Sequence, residues 1–204
     1  LGVGTRILDR RSLTWDLSLT ADHTSQRISH MDVAAFPVSA GGQSFWYESG
    51  KDLGIVTGTE FVKTIAMAIS NHNPKYPSTN PADYVVNPLG YVVLASDRNT
   101  AKEMPIERVD ADGTNLFVIG NVNPKLNYGL TDDIRWNRFT FHTLFSGQLG
   151  GEIYNFSKQW RIQDGRVGEM DMTHTPDDQK IAETFFTSGI LMHGNAANNY
   201  FIES

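Results

Sequence analysis

Phe139-Thr140-Phe141-His142-Thr143-Leu144-Phe145-Ser146 sets Phe139, Phe141, Thr143 and Phe145 in alternation with Thr140, His142, Leu144 and Ser146. A period of two is that of an extended strand, whose successive side chains leave opposite faces of a sheet. Just upstream, Ile134 and Trp136 end another such run, and only Asn137-Arg138 separates the two. Alternating runs joined by a two-residue polar break predict an antiparallel hairpin between Asn127 and Tyr154. An aromatic-heavy face opposite a mixed polar one suits a lipid-facing barrel strand and a soluble sandwich alike. Periodicity leaves that choice open.

Strand signals extend to either side. Leu13, Trp15, Leu17 and Leu19 alternate with Thr14, Asp16, Ser18 and Thr20, again at period two. Arg10-Arg11-Ser12 is polar enough for a preceding turn, with Gly4-Thr5-Arg6-Ile7-Leu8 as the strand before it. Gly41-Gly42 and Gly50 punctuate a segment that carries Phe45, Trp46 and Tyr47. Residues 59–69 fit a short helix capped by Thr59, and fit a strand through Val62, Thr64 and Ile65 equally well. Residues 71–83, with three prolines and three asparagines, form a loop. A short strand at 91–94, a polar connection at 96–103 and a turn at Asp110-Ala111-Asp112-Gly113 follow. Past Asn155 the chain turns polar, and residues 164–168 read as a turn. Pro176-Asp177-Asp178 opens a helix to about Phe186, with proline in its first turn and acids at its positive end. At ~10 residues per crossing this gives about seven or eight strands. The expected fold class is all-β, a single segment over residues 1–204: an antiparallel sheet with long loops and one or two short helices.

The 204 residues are 40% hydrophobic and 20% charged, an ordinary balance for folded protein. Seventeen Lys and Arg against 23 Asp and Glu give a net charge of −6, which argues against a nucleic-acid surface, where positive charge clusters. The absence of cysteine rules out disulfides and thiolate metal ligands. No apolar run approaches the ~18 residues of a membrane-crossing helix. A start at Leu1, with neither initiating Met nor signal peptide, is expected of a processed or partial chain.

Two stretches carry a family resemblance. Ile119-Gly120-Asn121-Val122-Asn123-Pro124-Lys125-Leu126-Asn127-Tyr128-Gly129-Leu130 resembles a run in the SusC/RagA-type TonB-dependent outer-membrane receptors, which import glycans and peptides. There an Ile-Gly-Asn-Pro-Asn-Pro-Lys run followed by Gly precedes a late barrel strand. Gly147-Gln148-Leu149-Gly150-Gly151-Glu152-Ile153-Tyr154-Asn155 is similar to the family's Gly-Gly-Asp/Glu-Ile-Tyr-Asn run at the end of the next strand. Order and spacing both match, so the resemblance is specific over 117–160. Weaker likeness extends over most of the chain, with Trp15-Asp16-Leu17-Ser18-Leu19-Thr20 similar to an earlier barrel strand, Asn87-Pro88-Leu89-Gly90-Tyr91 to a loop and residues 160–171 to an extracellular loop. Val122 departs from the family's usual proline. The resemblance gives Gly120, Asn121, Asn123, Pro124, Lys125, Gly129, Gly150, Gly151, Glu152, Tyr154 and Asn155 a structural role, with no catalytic residue and no cofactor.

The resemblance implies a non-catalytic barrel segment of a bacterial outer membrane, without recognisable plug, TonB box or terminal aromatic strand. Receptors of this kind close with ~22 strands, so about seven or eight leave two open edges of unpaired backbone groups. Three solutions follow. The remainder of a barrel completes the wall, or the sheet curls into a soluble sandwich, or other subunits cover it. The last makes the chain a structural accessory subunit, docked on the periplasmic side of a larger membrane complex such as an energy-transducing one. A free-standing periplasmic carbohydrate-binding domain is a further alternative.

Other chemistry is sparse. His23, His30, His72, His142, His174 and His193 are scattered without metal-ligand spacing, and surface or lumen positions are expected. Asp110-Ala111-Asp112-Gly113 starts like a calcium loop but lacks the further acids. Gly2-Val3-Gly4 precedes no βαβ unit, and Ser44, Ser146 and Ser157 lie in no nucleophile elbow. Glu152 and Asp164 suggest a glycosidase couple only until Glu152 is assigned to the strand-end motif. Phe45, Trp46, Tyr47, Trp136 and Trp160 are the candidate interface or ligand aromatics, for stacking on a glycan or, as expected here, for an interfacial girdle or core.

Overall fold

The alternating stretch that anchors the sequence reading folds as a long hairpin, with Phe139 opposite Trp136 and Phe145 opposite Leu130. In the computed structural model of the chain, residues 1–40, 43–191 and 197–203 are described; Gly41, Gly42, His193 and Ser204 lie outside them. The first strands are β1 (Gly2–Arg10), β2 (Leu13–Asp22), β3 (Phe36–Ala40), β4 (Gln43–Tyr47), β5 (Ile55–Gly58) and β6 (Tyr84–Val86). They are followed by β7 (Val92–Leu94), β8 (Phe117–Asn121), β9 (Pro124–Trp136), β10 (Phe139–Gly150), β11 (Ile153–Tyr154) and β12 (Ile202–Glu203). Two short α-helices, α1 (Ile65–Ile69) and α2 (Phe156–Gln163), and a π-helix (Phe185–Ile190) complete the larger elements. The class is all-β, its strands paired antiparallel in every sheet. The strand count exceeds the expectation because several pieces span only two or three residues, too short for alternation to register.

The chain divides into two compact units. The first, Leu1–Arg27 with Val122–Glu152, is one sheet in the order β1-β2-β9-β10. Its register runs straight across: Arg10 faces Leu13, Leu13 faces Trp136 and Trp136 faces Phe139. Both tight turns, Arg11-Ser12 and Asn137-Arg138, therefore lie at the same end of the sheet. The long connection from β2 to β9 and the chain after β10 leave from the opposite end. A bulge between Arg6 and Leu8 interrupts the outer strand β1.

The second unit, Ile28–Asn121 with Ile153–Glu203, holds the packed core. Its sheets are β3-β4-β5-β8, the β6-β7 hairpin and the β11-β12 pair. Phe61, Phe185, Phe186 and Phe201 are fully buried there, among Tyr91, Tyr154 and Tyr200. Neighbouring rings meet edge to face, as in Phe185–Phe186 at 5.4 Å and Tyr200–Phe201 at 5.3 Å, the geometry that ring quadrupoles favour. A buried ion pair ties loops to this core. Glu103, with no exposed surface, takes Arg98 Nη1 at 2.8 Å, and Arg98 also donates to the Lys180 and Asp178 carbonyls. Asn87 and the Asn99 amide satisfy the rest of the carboxylate.

Three local expectations need correction. The ambiguous 59–69 segment divides: Thr59 and Phe61 make isolated bridges, and only Ile65–Ile69 is helical, capped by Thr64 rather than Thr59. The polar stretch after Asn155 is helix α2, because the Asn155 side chain accepts from the Lys158 N–H and so caps its start. The helix expected from Pro176 to Phe186 is absent from its first half. Pro176 accepts only the turn bonds of Gln179 and Lys180, and helix starts at Glu183 and continues to Ile190. The proline–acid signature marks a turn, while the buried Phe185, Phe186 and Ile190 draw the later residues into the core.

Candidate functional site

Cross-strand register assigns each residue of the first unit's sheet to a face. One face carries Leu13, Trp15, Leu17 and Leu19 of β2, Leu130, Ile134 and Trp136 of β9, and Phe139, Phe141 and Phe145 of β10. Among the described residues of the unit nothing covers it. Trp136 is 58% exposed, and Phe139, Phe141 and Phe145 are 66%, 68% and 63% exposed. A contiguous apolar face of this kind is larger than the scattered exposed apolar residues of an ordinary surface. The outer strand β10 adds an open edge that carries no Lys, Arg, Asp, Glu or Pro, the residues that commonly guard such edges.

One carboxylate interrupts the apolar face. Asp132 stands between Leu17 and Thr143 in register, and the Trp15 indole N–H donates to it. Alternation places Asp132 on the face of Ile134 and Trp136, but its partner Trp15 comes from another strand and is not readable from local pattern.

The opposite face carries a row of ionisable side chains through all four strands. Arg6, Asp16, Asp133 and His142 stand side by side in register, one per strand. Arg6 Nε donates to Asp16 at 2.8 Å, and His142 Nδ1 lies 2.6 Å from Asp133 Oδ1. Asp16 and Asp133 are like charges directly opposed, an unfavourable pairing that Arg6, bonded to Asp16, offsets.

The two sequence motifs converge at the end of this sheet away from the tight turns. Gly150 and Gly151 adopt φ of +72° and +82°, the left-handed region that glycine enters without penalty. A side chain at Gly151 would meet the Val122 carbonyl and Pro124, and one at Gly150 would meet Lys125. That contact brings the Asn-Pro-Lys and Gly-Gly runs together in this chain. Pro124 pairs with Gly150, Gly129 leaves room for the Thr20 hydroxyl, and the Lys125 carbonyl meets His23 at 2.7 Å. The remaining motif residues are dispersed. Gly120 and Asn121 sit in β8 opposite Val56 and Ile55. Asn123 and Glu152 flank the β9–β10 pair. Tyr154 is buried, its hydroxyl donating to Gln159 at 2.9 Å, and Asn155 caps α2 while its amide donates to Glu203.

The candidate aromatics do not form one site. Phe45, Trp46 and Tyr47 are half-buried in β4, where Tyr47 stacks on Phe36 at 5.7 Å and Trp46 donates to Glu48. Trp136 belongs to the apolar face, and Trp160 is exposed on α2 against Phe156. Among the described residues no cluster of His, Asp or Glu has the makings of a metal site, and no helix is long and apolar enough to cross a membrane.

Comparison with protein families and with curated proteins finds no match to this chain.

Proposed function

We propose that the chain is a non-catalytic wall segment of a bacterial outer-membrane receptor resembling the SusC/RagA type. In this reading the aromatic face of the β1-β2-β9-β10 sheet lies against lipid and the charged row faces the lumen. One observation carries it: the uncovered apolar face belongs to an antiparallel sheet of two hairpins, β1-β2 and β9-β10, with tight turns at one end and long connections at the other. Outer-membrane barrels have that arrangement, with short periplasmic turns and longer outward loops. The dimensions agree. From Trp136 back to Tyr128, β9 rises ~27 Å at ~3.4 Å per residue, which is ~21 Å across a membrane at ~40° tilt, near the ~25 Å apolar band of such walls. The partners are then the rest of a barrel and, through the loops, a glycan or peptide in transit.

A second reading draws on Asp132. A carboxylate within a lipid-facing band is costly, and a protein cover offers it partners. The chain is then a structural accessory subunit, docked by its apolar face on the periplasmic side of a larger membrane complex.

Single-tryptophan variants separate the two. With Trp136 alone retained, bromine-labelled acyl chains quench its emission if the face meets lipid, and aqueous iodide does not. Iodide quenching without bromine quenching contradicts the wall reading. Protection from both quenchers favours a protein cover.

A further inference from the structure

The second unit contains a cleft of about 620 Å³ between the 75–78 loop and the β6–β7 hairpin, a volume usual for small-molecule sites (~300–1,000 Å³). Pro77, Ala82, Tyr84 and Leu94 give it apolar walls, and Lys75 lies at its rim. The chain's own hydrogen bonds fix the loop against the hairpin. The buried Tyr84 hydroxyl donates to the Ser78 carbonyl at 2.7 Å, with the Tyr76 carbonyl at 3.2 Å. The Ser78 hydroxyl donates to Asp83, and Asn80 accepts from the Ala82 N–H at 3.2 Å. Every residue from Ser78 to Tyr84 that could swing in to fill the space and bears a polar side chain, Thr79 apart, is thereby engaged.

The two charges on the rim are not equivalent. Asp83 already accepts from Ser78 and Asn80, whereas Lys75 makes no ion pair among the described residues. We propose that this cleft binds a small amphipathic anion, with a ring or aliphatic body against Pro77, Tyr84 and Leu94 and a carboxylate-type group on Lys75. The site is independent of whether the first unit's sheet faces lipid.

Saturation-transfer NMR and equilibrium dialysis on the full chain test it, with 3-phenylpropionate, its neutral amide and 2-phenylethylammonium as probes. The carboxylate should bind ~3-fold more tightly than the amide, as one exposed charge contact allows, and the ammonium least tightly. Lys75→Gln should remove the preference for the carboxylate and keep binding of the amide. Ala95→Trp, which sets a ring in the cleft from an exposed position, should abolish both. No transfer from any probe, or transfer that Ala95→Trp leaves unchanged, overturns the site. Equal binding of carboxylate and amide, or tightest binding of the ammonium, overturns the anionic class.

Discussion

The backbone N–H of Asn137 donates to the carbonyl of Ser12 at 2.8 Å, tying the turn of one hairpin to the turn of another that is remote in sequence. This bond fixes the end of the sheet at which both hairpins reverse, and so the end from which the long connections depart. Asn137 holds it with a φ of +54°, a conformation that asparagine tolerates and β-branched residues do not. Asn137→Gly should leave stability nearly unchanged, while Asn137→Val should cost ~1–2 kcal/mol. Urea unfolding of the two variants makes the comparison.

Gly58 has no room for a side chain. A Cβ there would sit 2.1 Å from the Ala197 carbonyl oxygen, the same oxygen that accepts the Thr59 N–H at 2.8 Å. Backbone must move to admit even a methyl group. Gly58→Ala should destabilise the chain by ~1–3 kcal/mol and raise hydrogen exchange at the Thr59 amide.

The Arg98–Glu103 pair is more costly to break than to replace. Glu103→Ala leaves the largely buried Arg98 uncompensated and should cost ~3–5 kcal/mol. The double change Arg98→Met with Glu103→Leu removes both charges and should cost less than Glu103→Ala alone. Thermal unfolding of the pair of variants decides between them.

Stability should fall at both ends of the pH range for separate reasons. Burial pushes the Glu169 carboxyl up, but the Tyr200 hydroxyl and Lys158 outweigh it and hold it below the ordinary 4.5. Its contribution is present above pH 4.5 and is lost as pH falls through the lowered value. Burial first, and Glu169 second, push the Tyr91 phenol up to about 12, while burial also raises Tyr154 and Tyr200. That contribution is present below the ordinary 10 and is lost as pH climbs toward about 12. In unfolding measured against pH, Glu169→Gln should flatten the acid limb and Tyr91→Phe should soften the alkaline one.

The long hairpin was legible because three local signals agree: alternation on both strands, a two-residue polar break, and an asparagine suited to positive φ. Residues 13–20 were legible for the same reason. The helices were not. Asn155 announces α2 only as a capping residue, within a stretch otherwise too polar to suggest burial, and the π-helix owes its place to Phe185, Phe186 and Ile190 meeting distant rings. The partners of Asp132 and Glu103 are opaque for a related reason. An acid's setting depends on which strand or loop reaches it, and Trp15 and Arg98 arrive through tertiary contact rather than local pattern.

The two faces of β10 offer the most direct test of the wall reading, through Phe141→Arg and Thr140→Arg, neighbours that leave the sheet on opposite sides. Folding of the full chain into phospholipid vesicles, followed by Trp emission and protease protection, gives the free energy of each. If the aromatic face meets lipid, Phe141→Arg should cost ~2–4 kcal/mol and Thr140→Arg close to nothing. Equal costs for the two, or a wild-type chain that remains in the aqueous phase, would contradict it.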